Sequence, residues 1–336
     1  MKIHEKYIKR CIDLAKNGFP SAMPNPSVGA LLVVDDMIIA EGYTSAYGGP
    51  HAEVNAISFA KTHTPDLLTK ATLYVTLEPC SHYGKTPPCA NLIVASRIPR
   101  VVIGTIDPHS KVAGNGIKKL IEANIQVTVG ILEQECYEVN KRFFTYHQKK
   151  RPYIILKWAE TIDGFVAPLH RDQTAPVWIT NPYSRQLVHK WRSEEQAILV
   201  GAQTVLADNP SLTTRDWKGT SPMRIVLDER GNLPENAQVF DEEAPTLTIN
   251  SQDPTIIIDT LFKKEVQSII IEGGSKTIQR FIDTGLWDEA RVFTGITAFG
   301  EGTKAPMLPT SNNNDQQVST LRIEEDVLTI YKNKSS

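Results

Sequence analysis

The chain has 336 residues, about twice the length of a typical single domain, and this length predicts two domains. Its 41% hydrophobic and 22% charged residues are ordinary for a globular protein, and no apolar run approaches the roughly 18 to 20 residues of a membrane-spanning helix. We therefore exclude a membrane protein. A formal net charge of -2 provides no overall attraction for nucleic acid or for an anionic membrane.

The N-terminal stretch "MKIHEKYIKRCIDLAKNG" predicts an amphipathic helix, because its apolar residues are spaced among Lys, Glu and Arg. It lacks the apolar core of a signal peptide, so we expect a cytoplasmic protein with reduced cysteines. Cys11 and Cys136 fall in helical patterns and are expected to be buried small side chains. Cys80 and Cys89 instead flank a proline-rich loop and are candidate ligands.

Strands and helices alternate through the first half of the chain. The runs "VGALLVV" and "MIIAEGYT" flank the turn-forming pair Asp35-Asp36 and predict a β-hairpin, and "HAEVNAISFAKTH" has helical spacing. Further on, "ATLYVTLEPC", "RVVIGTIDPH" and "QVTVGIL" are typical of strands, and "CANLIVASRI" and "GNGIKKLIEANI" of helices. This alternation predicts a layered α/β sheet that is at least partly parallel.

A charged, aromatic and helical region, "EQECYEVNKRFFTYHQKKRPY", separates this pattern from a second one, and we predict domains at residues 1–147 and 152–333. The second pattern has a strand in "YIILKWAET", a helix in "PYSRQLVHKWRSE", a strand and helix in "QAILVGAQTVLAD" and a strand in "PMRIVLDE". The apolar runs "TLTIN" and "TIIID" follow without an assignment. "SIIIEGGSKTIQRFIDTGL" predicts a strand, a glycine turn and a helix, and the chain closes with strands.

The segments "GGPHAEVNAI" and "LEPCSHYGKTPPC" supply one imidazole, two thiolates and a carboxylate. A catalytic zinc ion takes three protein ligands and leaves its fourth position to water. Positions i and i+2 of a helix point about 200° apart, so His51 and Glu53 are not both ligands of one ion. We predict one Zn²⁺ held by His51, Cys80 and Cys89. Zinc deaminases combine H-x-E with a later P-C-x-x-C, whereas eight residues separate the two cysteines here.

Glu53 is the predicted general acid and base of this site. It would take a proton from the bound water, pass it to a ring nitrogen of the substrate and later protonate the departing amine. His82, between the two cysteines, could be a fourth ligand, but it would close the site, so we interpret it as a substrate contact. From chemistry alone, the loop "SHYGKTPP" would contact a polar or anionic substrate.

Several segments together resemble the bifunctional deaminase and reductase family of riboflavin biosynthesis. They are "MPNPSVGALLV", "GGPHAEVNAI", "TLYVTLEPCSHYGKTPPCANLIV" and "IGTIDPHSKVAGNGI" in the first half, and "ILKWAETIDG", "WITNPYSRQLVHKWRSEEQAILVGAQTVLADNPSLTTR" and "IIIEGGSKTI" in the second. The resemblance implies a cytidine-deaminase-like α/β/α N-terminal domain and a dihydrofolate-reductase-like α/β C-terminal domain. It also implies deamination of 2,5-diamino-6-(5-phosphoribosylamino)pyrimidin-4-one, followed by NADPH reduction of the ribosyl to a ribityl side chain.

The same resemblance implies the residues on the substrate side of the deaminase. Asn25 would bind the pyrimidine or the ribose, and His82, Lys85 and Thr86 would line the ribose-phosphate side. Thr44 stands where the family usually has a histidine, which leaves one sugar or phosphate contact open.

In the second half, "SIIIEGGSKTIQRF" presents the free N–H groups of a helix N-terminus to an anion. By itself a Gly-Gly after a strand is more often a tight turn, and no G-x-G-x-x-G is present. The resemblance implies NADPH contacts and a set of residues around the substrate, Arg192 and Arg215 on its phosphate among them. The NADPH set is Lys157, Glu160, Trp178, Thr204, Asp208, Gly274, Ser275, Lys276 and Thr277, and the substrate set is Arg192, Leu212, Arg215 and Glu272.

From the residues alone, other interpretations stay open. Trp178 could be a core residue, Asp208 a turn residue and Arg192 part of a solvated helix face. Glu229 departs from a hydroxyl that the family often has near the cofactor, and Arg230 could compensate by pairing with the 2′-phosphate.

Two other functions compete with the bifunctional enzyme. One is a nucleoside or nucleic-acid base deaminase with a non-reductase second domain, which would favour a basic groove and aromatic platforms. The other is a structural zinc module, which would need a fourth protein ligand and a dispensable Glu53. We expect a small pyrimidine ribose phosphate as substrate, no nucleic-acid or membrane partner, and a homo-oligomer.

Overall fold

The computed structural model describes residues 2–83, 87–108, 114–171, 173–309 and 317–333. The chain divides into two compact units, residues 1–150 and 151–336. Each unit contains its own sheet and its own buried core. Within the described ranges, no helix combines the length and the apolar character needed to cross a bilayer.

The first unit is a five-stranded sheet covered by helices on both faces. The strands lie in the order β2-β1-β3-β4-β5, with β1 antiparallel to both of its neighbours and β3, β4 and β5 parallel. The strands are β1 (Gly29–Val34), β2 (Met37–Tyr43), β3 (Thr72–Leu77), β4 (Arg100–Thr105) and β5 (Gln126–Val129). The helices are α1 (Lys2–Gly18), α2 (Ala52–His63), α3 (Cys89–Ala95), α4 (Asn115–Glu122), α5 (Glu133–Val139) and α6 (Lys141–Lys149).

Alternation along the strands divides the core of this unit between two faces. In β1, Leu31 and Val33 pack with α1 and α5, whereas Leu32 and Val34 pack with α2, α3 and α4. Every residue of β1 is buried because both faces are covered. The predicted hairpin is confirmed, since β1 and β2 are antiparallel and the turn residues Asp35 and Asp36 have φ of 47° and 61°. Two positive φ values are typical of the type I′ turn, whose twist matches that of the strands.

The second unit contains an eight-stranded sheet in the order β10-β9-β8-β11-β6-β12-β15-β14 and a separate two-stranded antiparallel sheet of β7 and β13. The strands from β10 to β12 are parallel, and β15 and β14 extend the sheet in antiparallel fashion. The strands are β6 (Tyr153–Glu160), β7 (Phe165–Pro168), β8 (Ala197–Gly201), β9 (Met223–Leu227), β10 (Thr246–Ile249), β11 (Ser268–Ile271), β12 (Glu289–Thr294), β13 (Gly302–Lys304), β14 (Gln317–Ile323) and β15 (Asp326–Lys332). The helices are α7 (Pro182–Glu194), α8 (Ala202–Asp208), α9 (Pro254–Lys263) and α10 (Ser275–Asp283).

Helix caps determine where two helices of this unit begin. Asn181 accepts the N–H of Ser184 at 3.0 Å in front of α7. Asp253 accepts the N–H of Thr255 at 2.8 Å in front of α9. Both helices have proline in the first turn, where its missing N–H costs nothing. The cap explains why the β-branched run "TIIID" is helical although "TLTIN" forms β10.

Candidate active sites

His51, Cys80 and Cys89 come together at one end of the first sheet. His51 immediately precedes α2, Cys80 lies in the loop after β3, and Cys89 is the first residue of α3. The sulfurs of Cys80 and Cys89 lie 3.7 Å and 3.3 Å from His51 Nδ1. One donor atom from each residue lies within 4.8 Å of the others, a geometry that can hold a metal ion. One nitrogen and two sulfurs are donors that zinc prefers.

Hydrogen bonds within this group favour the thiolate form of Cys80. The hydrogen bond with the Cys89 side chain is the largest cause that lowers the pKa of the Cys80 thiol to about 4. His51 and the backbone N–H of Cys89, which donates to Cys80 Sγ at 3.2 Å, also lower this pKa. The hydrogen bond between the two side chains raises the pKa of the Cys89 thiol, because Cys89 is the partner that keeps the proton. The hydrogen bond with Cys80 raises the pKa of His51. Negative charge is therefore concentrated on Cys80.

Glu53 lies in the first turn of α2 and is only 4% exposed. Burial first, and then the charge of Cys80, raises the pKa of its carboxyl to about 7. Glu53 is outside the group that could hold a metal ion, although its carboxyl interacts with the Cys89 side chain. A buried carboxyl that titrates near neutral pH and adjoins a metal-ligand group is suited to general acid and base chemistry.

The predicted substrate residues of this unit differ in burial and in hydrogen bonding. Asn25 is half-buried, and its backbone N–H donates to Ala22 O at 2.9 Å. His82 is exposed and is outside the group of metal-ligand donors, so the group has three members among the described residues. Lys85 and Thr86 lie outside the described residues. Thr44 is buried, and its hydroxyl accepts the N–H of Val28 at 2.9 Å, so it serves the fold.

Glu78 is a residue that the sequence reasoning missed. Among the described residues, its buried carboxylate accepts four backbone N–H groups, those of Asp107 at 3.3 Å, Gly114 at 3.0 Å, Gly116 at 2.9 Å and Ile117 at 3.3 Å. It thereby satisfies free donors in the first turn of α4 and ties that helix to the segment that carries Cys80. The only sequence signal was a glutamate directly before the Pro-Cys pair.

A cavity of about 1000 Å³ opens in the second unit. It lies beside the carboxyl ends of the neighbouring parallel strands β8, β11 and β6, the usual position of ligand sites in such sheets. Most of the residues that the resemblance implied line this cavity. They are Lys157, Trp178, Arg192, Thr204, Asp208, Leu212, Arg215, Glu272, Gly274 and Ser275.

Three of the implied residues are not among those that line the cavity. Glu160 accepts the indole N–H of Trp158 at 2.8 Å, and burial raises the pKa of its carboxyl. Thr277 is buried and packs beside Gly201, whereas Lys276 is exposed. Their side chains therefore do not reach into the cavity.

Lys157, Arg192 and Glu272 form a buried charge cluster in the wall of the cavity. Arg192 donates from Nε and Nη2 to the Glu272 carboxylate at 3.1 Å and 2.8 Å, and Lys157 Nζ lies 3.6 Å from Glu272 Oε2. Burial by itself would raise the pKa of Glu272, but Arg192 and then Lys157 overcome it and lower the pKa to about 2. Burial lowers the pKa of Lys157, an effect that Arg192 reinforces and Glu272 opposes. With two cations and one anion, the cluster has a net positive charge, which favours binding of an anionic ligand.

This pairing changes the interpretation of Arg192. Its side chain is only 11% exposed. Nη1 donates to Thr213 O at 3.2 Å, while Nε and Nη2 bind Glu272. Arg192 therefore does not lie on a solvated helix face, and its main partner is a protein carboxylate. Arg215 differs, because it is exposed at the edge of the cavity and points Nη1 at the hydroxyls of Ser211 and Thr213.

The two glycines before α10 have separate roles. A Cβ on Gly273 would lie 2.5 Å from the Cα of Val200, so this glycine permits close packing against β8. Gly274 has φ of 62° and precedes the first helical residue, Ser275. Because Gly274 and Ser275 both line the cavity, the free N–H groups at the start of α10 adjoin it.

Trp178 and Asp208 also line the cavity. Trp178 is 58% exposed, which excludes a core role, and the Arg185 guanidinium stacks 4.2 Å from the centre of its ring. Asp208, the last residue of α8, is paired with Arg171, a cavity residue that the sequence reasoning missed. Glu229 and Arg230 are exposed and are not among the residues that line the cavity.

Comparisons with known proteins agree with this two-unit arrangement. Residues 1–105 match the cytidine and deoxycytidylate deaminase zinc-binding region, and residues 152–329 match the RibD C-terminal domain. The riboflavin biosynthesis protein RibD of Aquifex aeolicus is 39% identical over 324 residues, which cover 90% of this chain and 89% of that protein. RibD of Bacillus amyloliquefaciens is 38% identical over 333 residues, covering 91% and 88%.

A solved structure extends the likeness to the whole fold. The diaminohydroxyphosphoribosylaminopyrimidine deaminase/5-amino-6-(5-phosphoribosylamino)uracil reductase of Thermotoga maritima superimposes with a TM-score of 0.90 at 38% identity, and the match covers 99% of each chain. The predicted fold class, a cytidine-deaminase-like domain followed by a reductase-like α/β domain, is confirmed. The chain therefore belongs to the RibD family of riboflavin biosynthesis proteins, bifunctional enzymes that join a zinc-binding deaminase domain to a reductase domain.

Proposed function

We propose that the first unit deaminates 2,5-diamino-6-(5-phosphoribosylamino)pyrimidin-4-one with one zinc ion per chain, and that the second unit reduces the ribosyl group of the product to a ribityl chain with NADPH. The observation that carries this proposal is the group formed by His51, Cys80 and Cys89 beside the buried carboxyl of Glu53. Three donors rather than four, counted over the part of the chain that the structure describes, favour a catalytic over a structural zinc ion. The cytoplasmic location and the homo-oligomer stay predictions.

In the deaminase, His51, Cys80 and Cys89 would hold the metal. When bound, zinc supplies a water whose pKa falls to about 7. Glu53 accepts a proton from the attacking water and donates it to a ring nitrogen of the pyrimidine. It then takes the remaining hydroxyl proton as the new carbonyl forms and gives it to the amine as ammonia departs. A pKa of about 7 lets this carboxyl both accept and donate a proton at neutral pH.

The substrate side of the deaminase is assigned by the resemblance together with exposure. Asn25 would bind the pyrimidine or the ribose from its half-buried position. His82, on the loop between the two cysteine ligands, would contact the ribose phosphate together with Lys85 and Thr86. We assign no substrate contact to Thr44, because its hydroxyl is bound to Val28.

In the reductase, the cavity would hold NADPH with its pyrophosphate at the start of α10. Gly274 and Ser275 line the cavity, and Lys276 and Thr277 would contribute the free backbone N–H groups of the first turn. Trp178 would pack on the cofactor, and Thr204 would complete the pocket. NADPH supplies the hydride that reduces the ribosyl carbon.

The charge cluster is suited to the substrate side of the cavity. Arg215 would bind the phosphate, and Leu212 and Glu272 would contact the substrate, with Arg192 holding Glu272 in place. Ring opening requires a proton on the ribose oxygen. We favour Lys157 over Asp208 as its donor, because Asp208 is engaged by Arg171 while burial lowers the pKa of Lys157 and eases proton donation.

The variant Glu53→Gln tests the deaminase assignment. We expect it to keep zinc and to lose ammonia release by roughly 100- to 10,000-fold, the usual contribution of a general acid and base. Zinc is measured by elemental analysis and ammonia by a coupled assay. Glu122→Gln is the matched control, because Glu122 lies on the exposed face of α4 and pairs only loosely with Lys118, at 3.9 Å. Ammonia release by Glu53→Gln at the rate of the control would refute the role of Glu53.

The same variant separates the two activities. Given the diamino substrate and NADPH, Glu53→Gln should oxidise NADPH no faster than it releases ammonia, because deaminated product forms only at that residual rate. Given the deaminated aminouracil, it should oxidise NADPH at the wild-type rate. Faster oxidation of NADPH with the diamino compound would show that the order of the two steps is wrong.

A further inference from the structure

The segment of residues 211–216, which we call the rim segment, connects α8 to the edge of the cavity. It brings Leu212 and Arg215 to the cavity lining. The segment contacts α7, because Arg192 of this helix donates from Nη1 to Thr213 O at 3.2 Å. Helix α7 therefore determines where the rim segment, and with it the guanidinium of Arg215, can lie.

His189 makes the second contact between α7 and the rim segment. It lies one turn before Arg192 and is 5% exposed. Its Nδ1 accepts the backbone N–H of Arg215 at 3.1 Å, and its Nε2 lies 3.5 Å from Asp216 Oδ2. An acceptor at Nδ1 places the proton on Nε2, so both ring nitrogens are engaged by consecutive residues of the rim segment.

The surroundings of His189 keep this acceptor available. Burial first, and then the charges of Arg192 and Arg215, lower the pKa of the imidazole to about 4, against the opposing charges of Asp216 and Glu272. The ring is therefore neutral at neutral pH, as its acceptor role requires. His189 itself is not among the described residues that line the cavity, so any effect on a ligand passes through the rim segment.

We infer that His189 is a positioning residue for recognition of the substrate phosphate, because it fixes the main chain of Arg215 at the edge of the cavity. The inference rests on the proposed function, in which Arg215 binds that phosphate. The hydrogen bond from the Arg215 backbone N–H to the buried His189 ring holds the Cα of Arg215, while the hydroxyls of Ser211 and Thr213 direct its guanidinium. Arg215 is thus restrained at both ends before the substrate arrives.

Two substitutions separate the hydrogen bond from packing. His189→Leu keeps nearly the same volume and removes the acceptor, whereas His189→Asn keeps an acceptor close to the position of Nδ1. The reductase is assayed in the full-length protein with the deaminated aminouracil ribose phosphate and NADPH. We expect His189→Leu to raise the KM for the aminouracil about fivefold, the equivalent of one buried hydrogen bond. Its kcat and its KM for NADPH should stay within about twofold of wild type, and His189→Asn should restore the KM to the same range.

Arg215 provides the decisive comparison. Arg215→Ala should raise the KM for the aminouracil by more than His189→Leu does, and adding His189→Leu to Arg215→Ala should have no further effect. The inference is overturned if the two effects multiply, if His189→Asn behaves like His189→Leu, or if the loss falls on kcat. It is also overturned if Arg215→Ala raises the KM and His189→Leu does not, an outcome that leaves the proposed function intact. A wild-type protein that does not oxidise NADPH with this substrate would refute the proposed function itself.

Discussion

The carboxylate of Glu272 balances the charges of Arg192 and Lys157, which are largely buried. Replacing Glu272 by Gln should therefore lower the free energy of unfolding of the second unit. Its carboxylate is 7% exposed, binds Arg192 through two hydrogen bonds and faces Lys157 at 3.6 Å. The pKa of this group is lowered from 4.5 to about 2, which corresponds to about 3 kcal/mol of the free energy of unfolding at neutral pH. The value agrees with the roughly 3 to 5 kcal/mol lost when one partner of a buried pair is removed.

The sign of the pH dependence follows from the lowered pKa. A carboxylate with a lowered pKa in the folded state contributes its full stability above the unfolded value of 4.5, and the contribution is lost as pH falls towards about 2. Glu272→Gln should therefore lower the free energy of unfolding by about 3 kcal/mol near pH 7, and the difference from wild type should shrink to about 1 kcal/mol near pH 3.

Tryptophan fluorescence during urea unfolding measures this effect in the correct unit. All five tryptophans lie between residues 151 and 336, so the signal reports the second unit. The matched control is Asp259→Asn, which breaks an exposed pair with Lys263 in the same unit and should cost less than about 1 kcal/mol. Equal stability of Glu272→Gln and this control, or a difference that does not change with pH, would refute the reasoning.

Two further predictions concern the first unit. Cys89→Ser should abolish stoichiometric zinc in elemental analysis, because it removes one of three ligands, whereas Cys136→Ala, at a buried cysteine outside the group, should retain the metal. Gly116→Ala should weaken zinc binding by roughly 10- to 100-fold in chelator competition, because its Cβ would lie 2.0 Å from the carbonyl oxygen of Pro79 and displace the segment that carries a ligand. Gly130→Ala is the control: at φ of 88° it strains the backbone, but its Cβ has nothing within 4 Å and displaces no neighbouring segment, so zinc affinity should stay unchanged.

Much of the zinc site could be predicted from local sequence. His51 and Glu53 were predicted to differ in role because residues two apart in a helix point to different sides. In the structure His51 is the extended residue before α2 and Glu53 lies in the first turn, so they do differ, but the helix geometry does not apply to His51. The cysteines that flank the loop are the other two members of the group that could hold a metal ion. The hairpin at Asp35-Asp36 and the start of α7 were likewise predictable, since turn residues and helix caps act within a few positions of the chain.

The contacts that join distant segments were decided by the tertiary structure. Glu272 meets Arg192, 80 residues earlier, because β8 and β11 are neighbours in the sheet although many residues separate them in the chain. Glu78 receives the N–H groups of Asp107 and Gly116 for the same reason, since β4 lies beside β3 and these residues follow β4 in the chain. Local sequence therefore determined which chemical groups this protein carries and where its helices and turns begin, because backbone preferences and ligand spacing act over a few residues. Strand order determined which of those groups meet, because charge pairing and burial depend on distance in space.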